Sequence, residues 1–583
     1  MTSEHPTPGR SEKLRSLLAS LYSPSDAASL QRWIEDHLNE VEVPAQKAAW
    51  TQEDAYLITY GDSIDGPGQS PLRALGAFVR EYLSESISTV HLLPFYPSTS
   101  DGGFAVSDYH GVDPKMGDWS DIEALEEDKA LMFDLVLNHA SASHQDFTAL
   151  LQGEESGRPL FFMAEPDLDL RAVVRPRTHP LLQTYETPEG PKHLWCTFSR
   201  DQIDWDFRNP EVLKKFIDIQ TAYLKKGATT LRLDAVAYLW KEIGTSCIHL
   251  KQTHQVVRLL RLVAESIQPA ARILTETNVP HRENISYFGD GDEAHMVYNF
   301  SLPPLVLQAL LVGESKHLER LVNDTPPAPR GCTFFNFLAS HDGIGLRPTE
   351  GILSEQERTD LIKLIESFGG HISYKSQPDG SKAPYEANIS YFSALRGTAQ
   401  GEDGWQVERF LCAHAICMAL QGIPAIYINS FLAAPNWTEG VKAQHIPRAI
   451  NRKKWQWEEL QSRRQNQHDP MDRVMRGLHR LLLHRRQQSA FHPDASQEVT
   501  PVHPHLFSFR RVSPDGQQEI WCIHNLCAHT VSLDLSSRLP KGATDILDPD
   551  EPLQTESLSW RPYQIRWLEL PVVPGQDTGR GAT

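Results

Sequence analysis

Residues 229–240, TTLRLDAVAYLW, set an arginine and an aspartate into an apolar run that is typical of a buried strand. Successive side chains of a strand point to opposite faces, so Arg232 and Asp234 share one face while Leu231 and Leu233 occupy the other. Charged residues at the end of a buried strand are typical of a site at the mouth of a barrel. An internal ion pair is the alternative, and for a single Arg-x-Asp motif it is the more common case.

Similar apolar runs recur along the chain, and each is followed by a polar loop and a helical pattern. There are eight of them: 55–62, 88–97, 130–139, 228–236, 271–277, 296–300, 333–343 and 422–428. Strands that alternate with helices predict a parallel sheet covered by helices, and eight such strands allow closure. We therefore predict an α/β fold, a (β/α)8 TIM barrel, as the catalytic domain over residues 51–490.

The regions outside the eight repeats predict further parts of the molecule. Two amphipathic stretches indicate a helical preface over residues 1–50, and long connections indicate insertions at about 140–210 and 343–405. Long loops within a compact domain tend to act as functional lids. Short alternating runs separated by Pro, Gly and Asp predict an all-β C-terminal domain over residues 491–583.

Composition limits the partners that we expect. The chain of 583 residues has a formal net charge of −19, which disfavours nucleic acid or an anionic membrane as the main partner. The start has no apolar segment after its charges, and no run reaches about 18 uncharged apolar residues, so neither secretion nor membrane insertion is predicted. Seven scattered cysteines indicate free thiols, which fit a cytoplasmic protein. The oligomeric state is left open, a homodimer included.

Polar residues also end other predicted strands. Asn138 and His139 end the third, Glu276 ends the fifth, and His341 and Asp342 end the seventh. Together with the aspartate of the fourth strand, three carboxylates are expected to converge at the mouth of the barrel. A retaining glycosidic mechanism uses two carboxyl groups about 5–5.5 Å apart, one as nucleophile and one as acid.

Arg232 is expected to keep the carboxylate of Asp234 ionised, because an adjacent opposite charge lowers a carboxyl pKa. A nucleophile of this kind has to be charged.

Four segments match, in order, the signature regions of a known family: DLVLNH (134–139), LRLDAVAYLW (231–240), TETN (275–278) and ASHDG (339–343). They resemble the α-amylase superfamily across roughly the whole chain. Four longer strings are similar to the sucrose phosphorylase subfamily: STSDGGFAVSDY (98–109), WKEIGTSCIHL (240–250), NVPHRENISYFGDGDEAHMVYNFSLPPLVL (278–307) and SHDGIGLRP (340–348). The resemblance implies a hexosyltransferase in which inorganic phosphate attacks a glucosyl-enzyme and releases α-glucose 1-phosphate with retained configuration.

The same resemblance implies roles for individual residues. Asp234 is expected as the nucleophile, Glu276 as the general acid/base and Asp342 as the group that stabilises the transition state. Further residues are expected to bind the glucosyl group: Asp101, Phe104, His139, Arg232, His341 and Arg452. For Phe104, simple core packing is the alternative.

Phosphate requires hydrogen-bond donors and positive charge, and an arginine fork supplies both. Arg175 and Arg177, in the segment RPRTHP, are the candidates for phosphate binding. A solvated basic loop is the alternative for this segment.

The acceptor is harder to predict. Sucrose phosphorylases carry a histidine two positions after the acid/base, where this chain has Asn278, and this difference disfavours fructose. The segments TETNVPH, GTSCIH and YKSQPDGSKAPYEAN look more like the branch acting on glucosylglycerol, glucosylglycerate or sucrose 6′-phosphate. A neutral amide suits hydroxyl groups. We therefore predict a glycerol-like acceptor, so that the small-molecule substrates are an α-glucoside, phosphate and glycerol.

Other acceptors and activities stay open. An anionic acceptor needs a cation, for which Lys375 and Lys382 are candidates beside Asp379 and Glu386, although both lysines fit a solvated loop equally well. Sucrose phosphorylase, α-glucosidase and a non-catalytic sugar-binding barrel are the remaining alternatives.

No cofactor and no metal is expected, because no acidic calcium loop with regular spacing is present. Cys522, His524, Cys527 and His529 form a short cluster, but in a predicted strand and its turn packing is favoured over zinc.

Overall fold

A closed barrel of eight parallel strands forms the centre of the molecule. The computed structural model describes residues 8–41, 50–154, 159–376 and 381–571. The barrel strands, labelled β1 to β8 in chain order, are Tyr56–Thr59, Thr89–Leu92, Ala130–Leu135, Ala228–Leu233, Arg272–Thr275, Met296–Tyr298, Thr333–Phe337 and Ile423–Tyr427. Each strand pairs in parallel with its neighbours in sequence, and β8 closes onto β1. Every predicted run contains one of these strands, so the predicted fold class is confirmed.

The barrel strands are short and apolar because they are covered on both faces. All residues of β1 (YLIT) and of β7 (TFFNF) are buried. Parallel strands of this kind read as continuous hydrophobic runs rather than as alternating patterns. Their polar side chains therefore stand out near the carboxyl ends.

Helices surround the barrel and precede it. The longer ones are Pro8–Leu21, Pro24–Asn39, Pro71–Tyr82, Trp119–Glu126, Gln145–Gln152, Pro210–Lys225, Lys251–Ile267, Leu302–Val312, Lys316–Asp324, Glu355–Ser367, Gln406–Ala419, Trp457–Arg464 and Pro470–Arg486. Shorter ones are His281–Ile285, Tyr391–Ala394, Ile428–Phe431 and Thr438–Gln444. Within the described part of the chain, no helix is long and apolar enough to cross a membrane.

Sequence signals set several helix starts. Ser70, Asn209 and Asp469 each precede a proline and accept a backbone N–H from the first turn. A capping side chain followed by proline at the first helical position is a favoured start, because proline lacks only an N–H that would have no partner there.

The long connections after β3 and β7 carry small sheets of their own. After β3 the strands are His139–Ser141 paired with Gln202–Asp204, and Leu182–Thr187 paired with Gly190–Trp195. After β7 a three-stranded sheet is formed by Ile344–Gly345, Lys382–Asn388 and His371–Ser376. Both connections leave the barrel at the carboxyl ends of its strands and so cover its mouth.

Antiparallel sheets follow the barrel, as the alternating runs predicted. A five-stranded sheet has the order Ser496–Val499, Leu506–Val512, Glu519–Asn525, Ile565–Leu570 and Thr544–Asp545, and Val531–Leu533 pairs with Leu558–Trp560. The fully buried Arg511 joins this sheet to the barrel helices, since it donates to the carbonyl oxygen of Ala419 at 2.6 Å. The domain boundaries at residues 50 and 490 stay predictions.

Candidate active site

Arg232 lies at the centre of a buried charge network. The register of β3 and β4 places Asp134 beside Arg232, and the guanidinium donates from Nη1 to Asp134 and, at 2.7 Å, to Oδ1 of Asp234. The other oxygen of Asp134 lies 2.7 Å from Nε2 of His91, and both of these side chains are fully buried. Arg232 is therefore part of an internal ion pair and also orients Asp234.

The carboxyl groups of Asp234 and Glu276 follow neighbouring strands, β4 and β5. The backbone N–H of Ala235 donates to Oε2 of Glu276 at 3.0 Å. Ala235 has φ of 50°, a left-handed conformation that is costly for a residue with a Cβ. This strained turn after β4 ties the two carboxyl groups together. Arg232 Nη2 lies 3.9 Å from Glu276 Oε2, further than its contact with Asp234.

Burial raises the pKa of both carboxyl groups. For Asp234 burial outweighs the lowering effect of Arg232, and the neighbouring Glu276 adds to the rise in this pKa. Burial also raises the pKa of Glu276. Two interacting carboxyl groups titrate as a pair, so near neutral pH they share a proton. Because Arg232 contacts Asp234 directly, we place the charge on Asp234 and the proton on Glu276.

The sequence analysis expected Arg232 to keep Asp234 ionised through the lowering of its pKa, and the structure adds burial as an opposing effect. The arginine does lower this pKa, but the side chain of Asp234 is only 10% exposed, and burial has the larger effect. Neither the depth of burial nor the contact with the second carboxyl group is encoded in the local motif.

Asp342 lies beyond β7 and has the opposite electrostatic environment. Arg448 Nη1 lies 2.8 Å from its Oδ1, His341 Nε2 lies 3.4 Å from Oδ2, and Arg452 Nη2 lies 3.8 Å from Oδ1. Burial acts to raise the pKa of Asp342, but Arg448 and the other cations outweigh it and hold the pKa below its ordinary value. Asp342 is thus ionised at neutral pH.

A glycine allows Asp101 and Arg452 to approach each other in the site wall. Asp101 begins the turn Asp101–Gly103 with φ of 52°, and Gln202 Nε2 donates to its Oδ2 at 3.2 Å. A Cβ at Gly102 would lie 2.3 Å from Nη1 of Arg452. The absence of a side chain there lets Arg452 reach to 4.0 Å from Asp101.

Aromatic rings close the site from the side. Phe104 stacks on His341 with ring centroids 4.8 Å apart, and its carbonyl oxygen lies 3.1 Å from Nε2 of His139. Burial lowers the pKa of His139 and lowers that of His341 to about 3, so both imidazoles are neutral at neutral pH. Phe104 also packs 5.6 Å from the guanidinium carbon of Arg232, so it belongs to the core and to the site wall.

Known proteins match this architecture over most of the chain. A family model described as alpha amylase, catalytic domain, matches residues 81–342. A glucosylglycerate phosphorylase from Spirochaeta thermophila is 40% identical over 97% of this chain and 99% of its own length. A sucrose phosphorylase from Streptococcus mutans is 30% identical over 79% of this chain and 93% of its own.

The chain belongs to the sucrose phosphorylase subfamily of the α-amylase superfamily. A glucosylglycerol phosphorylase from Marinobacter adhaerens is 30% identical over 70% of this chain and 82% of its own. The crystal structure of sucrose 6F-phosphate phosphorylase from Thermoanaerobacter thermosaccharolyticum superposes with a TM-score of 0.71, at 24% identity, over 82% of this chain and 95% of that one. The subfamily consists of glycoside phosphorylases, which are enzymes, as the sequence analysis predicted.

The two arginines proposed for phosphate lie in different places in this phosphorylase. Arg177 lines the cavity that also contains Asp234 and Glu276, and its guanidinium carbon lies 5.7 Å from the ring centroids of Phe198 and Tyr385. Arg175 is not among the residues that line this cavity.

The guanidinium of Arg175 instead contacts the carbonyl oxygen of His179, four residues along the same loop. Of the two candidates, Arg177 lines the cavity and Arg175 is held within its own loop; their role in phosphate binding stays a prediction.

Neither lysine predicted for an anionic acceptor lines the phosphorylase cavity. Lys375 is partly buried, with Nζ 3.8 Å from Glu350, and burial lowers its pKa. Lys382 is exposed on the neighbouring strand. Asp379, named with them in the sequence analysis, lies outside the described residues.

Three residues of the site were missed by the sequence analysis. Arg448 bridges Asp342 and Glu386, whose oxygens lie 2.8 and 3.3 Å from it. Glu386 is buried and accepts the N–H of Gly343 at 3.1 Å. Gln202 lies 3.1 Å from Nε2 of His139, through the pairing of His139–Ser141 with Gln202–Asp204.

These residues come from distant loops that only the fold brings together. The position of Arg448, four residues before Arg452, was the one signal that could have found any of them.

The described part of the phosphorylase contains no group of three or more His, Cys, Asp or Glu placed to hold a metal ion. In the C-terminal cluster Cys527 Sγ lies 3.5 Å from His529 Nε2, while Cys522 and His524 are buried within their strand. The imidazole of His524 stacks on Phe509 instead.

Proposed function

We propose that this phosphorylase converts an α-glucosylglycerate and inorganic phosphate to α-D-glucose 1-phosphate and glycerate. The observation that carries this proposal is the 40% identity to a glucosylglycerate phosphorylase over almost the full length of both chains. The glucosylglycerol phosphorylase is more distant, at 30% identity over a smaller share. This contrast favours glycerate over the glycerol acceptor that the neutral Asn278 suggested.

In the first half-reaction Asp234 is the nucleophile. An oxygen of its carboxylate attacks the anomeric carbon of the glucosyl group, and the bond from that carbon to the glycerate oxygen breaks. Glu276 gives its proton to the departing oxygen. The division of charge within the pair, with Asp234 held by Arg232 at 2.7 Å, fits these two roles.

In the second half-reaction phosphate replaces glycerate. A phosphate oxygen attacks the anomeric carbon, the bond to Asp234 breaks, and the carboxylate of Glu276 takes up the proton of the attacking oxygen. Each half-reaction inverts the configuration of the anomeric carbon, so the product keeps the α configuration of the substrate. We assign phosphate binding to Arg177, whose guanidinium lies near the rings of Phe198 and Tyr385 on the cavity wall.

The remaining residues of the site act on the glucosyl group. Asp342, ionised and held by Arg448, faces the positive charge that develops at the anomeric centre. Neutral imidazoles of His139 and His341 suit hydrogen bonds to sugar hydroxyls. Asp101 and Arg452 close the far end, so that one glucosyl unit fits.

An assay of products tests the reaction and the acceptor separately. With a glucoside substrate and phosphate, α-glucose 1-phosphate is expected well in excess of free glucose; free glucose as the main product at every phosphate concentration would indicate a hydrolase. In the reverse direction, phosphate release from α-glucose 1-phosphate is compared for D-glycerate, glycerol, fructose and fructose 6-phosphate. We expect the highest kcat/KM with D-glycerate, and a higher value for any other acceptor contradicts the proposal.

A further inference from the structure

Arg347 is a buried cation beside the cavity that the catalytic roles above do not use. It begins the turn Arg347–Thr349, directly after the strand Ile344–Gly345, and only 8% of its surface is exposed. The N–H of Leu346 donates to the carbonyl oxygen of Tyr385 at 2.9 Å. Tyr385 lines the same cavity as Glu276 and Arg177, so the backbone next to Arg347 is fixed to the cavity wall, and Arg347 itself lies outside the cavity lining.

The same segment also packs against the acid/base turn. A Cβ at Gly345 would lie 2.4 Å from Oδ1 of Asn278, two residues after Glu276. The backbone just before Arg347 therefore packs directly against Asn278, which follows the proton donor Glu276 by two residues. The group that receives this proton is the leaving acceptor, so Arg347 lies on the acceptor side of the cavity.

The charge of Arg347 has no acidic partner among the described residues. No ion pair within 4.0 Å joins it to their carboxylates, and its Nε is buried without a hydrogen-bond partner. A buried guanidinium without a partner costs several kcal/mol of desolvation. We therefore expect this guanidinium to pair with an anion when substrate is bound.

The neighbours of Arg347 add to the positive potential. Burial raises the pKa of Tyr385, and the positive charges of Arg177 and Arg347 both oppose that rise. Arg347 also acts to lower the pKa of Lys375. The positive charges of two guanidinium groups thus both act on one tyrosine of the cavity lining.

We propose that Arg347 binds the carboxylate of the acceptor and sets the preference for an acid over a neutral polyol. This inference rests on the proposed function, since it names the group that recognises glycerate. In glycerate the carboxylate is close to the bonded oxygen, so its cation has to lie near Glu276. A guanidinium fork matches a carboxylate in two parallel hydrogen bonds.

Phosphate occupies the acceptor side in the second half-reaction, so two anions use this region in turn. Arg177 is part of the cavity lining together with Asp101 and Gln202, whereas Arg347 lies behind Tyr385 next to the acid/base turn. We assign phosphate to Arg177 and the carboxylate to Arg347. Substitution of Arg347 should therefore affect glycerate far more than phosphate.

The test compares two acceptors of nearly the same size and shape, one with a charged carboxylate and one with a neutral amide. Wild type, Arg347→Met and Arg347→Lys are assayed with α-glucose 1-phosphate as donor and D-glycerate or its neutral amide as acceptor. We expect Arg347→Met to lower kcat/KM for glycerate about 100-fold or more, the cost of leaving a buried charge unpaired. For the amide, kcat/KM should change less than about 3-fold, because the amide presents no charge to the arginine. Arg347→Lys should retain an intermediate preference.

A matched control is Lys382→Met, which removes an exposed cation from the same three-stranded sheet and should leave both acceptors unchanged. Thermal shift is a second measurement. D-glycerate should raise the Tm of wild type and not that of Arg347→Met.

Three outcomes would overturn the inference. The first is an equal loss of kcat/KM for glycerate and for its amide in Arg347→Met. The second is a raised KM for phosphate in this variant with an unchanged kcat/KM for glycerate. The third is a Tm shift by glycerate in this variant that is as large as in wild type. If the wild-type enzyme does not use glycerate, the proposed function itself is refuted. This result is seen with wild type alone, so it is distinguishable from a failure of the inference about Arg347, which is seen only in the variants.

Discussion

Arg448 holds two acidic groups of the site, and its removal should show how much of the catalytic power depends on the charge of Asp342. The substitution Arg448→Met keeps the length of the side chain and removes the guanidinium. It leaves Asp342 and Glu386 without the cation that lies 2.8 and 3.3 Å from them. Arg452 is too far from Asp342, at 3.8 Å, to replace it fully.

The size of the effect follows from these distances. At an effective dielectric constant of about 20, two unit charges at the 2.8 Å separation of Arg448 and Asp342 attract each other by about 6 kcal/mol. The side chain of Asp342 is 28% exposed, so solvent screening and the desolvation of the arginine offset part of this energy. We expect about 2.7 kcal/mol to remain at Asp342, which is a rise of about two pKa units and a loss of about 100-fold in kcat/KM.

The pH dependence has a defined sign. In the folded wild type the pKa of Asp342 is held below its ordinary value, so its charge is lost only as the pH falls through that lowered folded pKa. Without Arg448 the folded pKa of Asp342 rises by about two units, so the loss of kcat/KM that comes from protonation of Asp342 should begin at a higher pH than in wild type.

The assay is the pH profile of kcat/KM for phosphorolysis, measured for wild type, Arg448→Met and Arg448→Lys. Arg473→Met is the matched control, because Arg473 forms a partly exposed ion pair with Glu408, and such pairs contribute about 0–1 kcal/mol. An Arg448→Met enzyme that folds and keeps both the wild-type kcat/KM and its acid limb would refute the reasoning.

Three further substitutions test other parts of the site. Asp234→Asn should reduce kcat by about 10³-fold or more with an unchanged far-UV spectrum, and wild-type turnover would exclude Asp234 as the nucleophile. Gly102→Ala places a Cβ 2.3 Å from Arg452 Nη1 at φ of 61°, so we expect a loss of kcat/KM of about tenfold or more and a lower Tm; normal values of both would contradict the proposed close packing. Lys241→Met removes the cation that lies 2.9 Å from the fully buried Asp204, which should cost about 3–5 kcal/mol in denaturant unfolding, and a change below about 1 kcal/mol would contradict this.

The barrel could be predicted because its strands are local features of the sequence. Each run is apolar, short and followed by a helical pattern, and Arg232 and Asp234 are conspicuous against that background. The carboxylates at the ends of β4, β5 and β7 followed from the strand order, since parallel strands in a barrel share one carboxyl end.

The strand ends were less predictable. The sequence predicts one strand over the run 130–139, but β3 ends at Leu135, and His139 begins a separate strand that pairs with Gln202–Asp204. An apolar run shows that residues are buried, and it does not show with which neighbour they pair. The pairing brings Gln202 to His139, so the same uncertainty hid one site residue.

The electrostatics could not be predicted from motifs. The motif indicated that Arg232 lowers the pKa of Asp234. In the folded chain, burial and the nearby Glu276 raise this pKa by more than the arginine lowers it. Arg448 and Glu386 were missed because their partners are 106 and 43 residues away from them, at Asp342 and Gly343. Charge balance in a site depends on contacts between loops, and these are properties of the folded chain.

The distribution of paired and unpaired arginines separates the two sides of the cavity. On the glucosyl side Arg448 and Arg452 lie within 4.0 Å of Asp342, so a neutral sugar meets donors whose charge is already balanced. On the acceptor side, within the described ranges of the chain, neither Arg177 nor Arg347 forms such an ion pair. A chain with a net charge of −19 repels anions at long range, so a phosphorylase of this composition needs local cations to bind phosphate or a carboxylate. Unpaired guanidinium groups placed on the acceptor side alone meet that requirement without raising the affinity for anions at the glucosyl side.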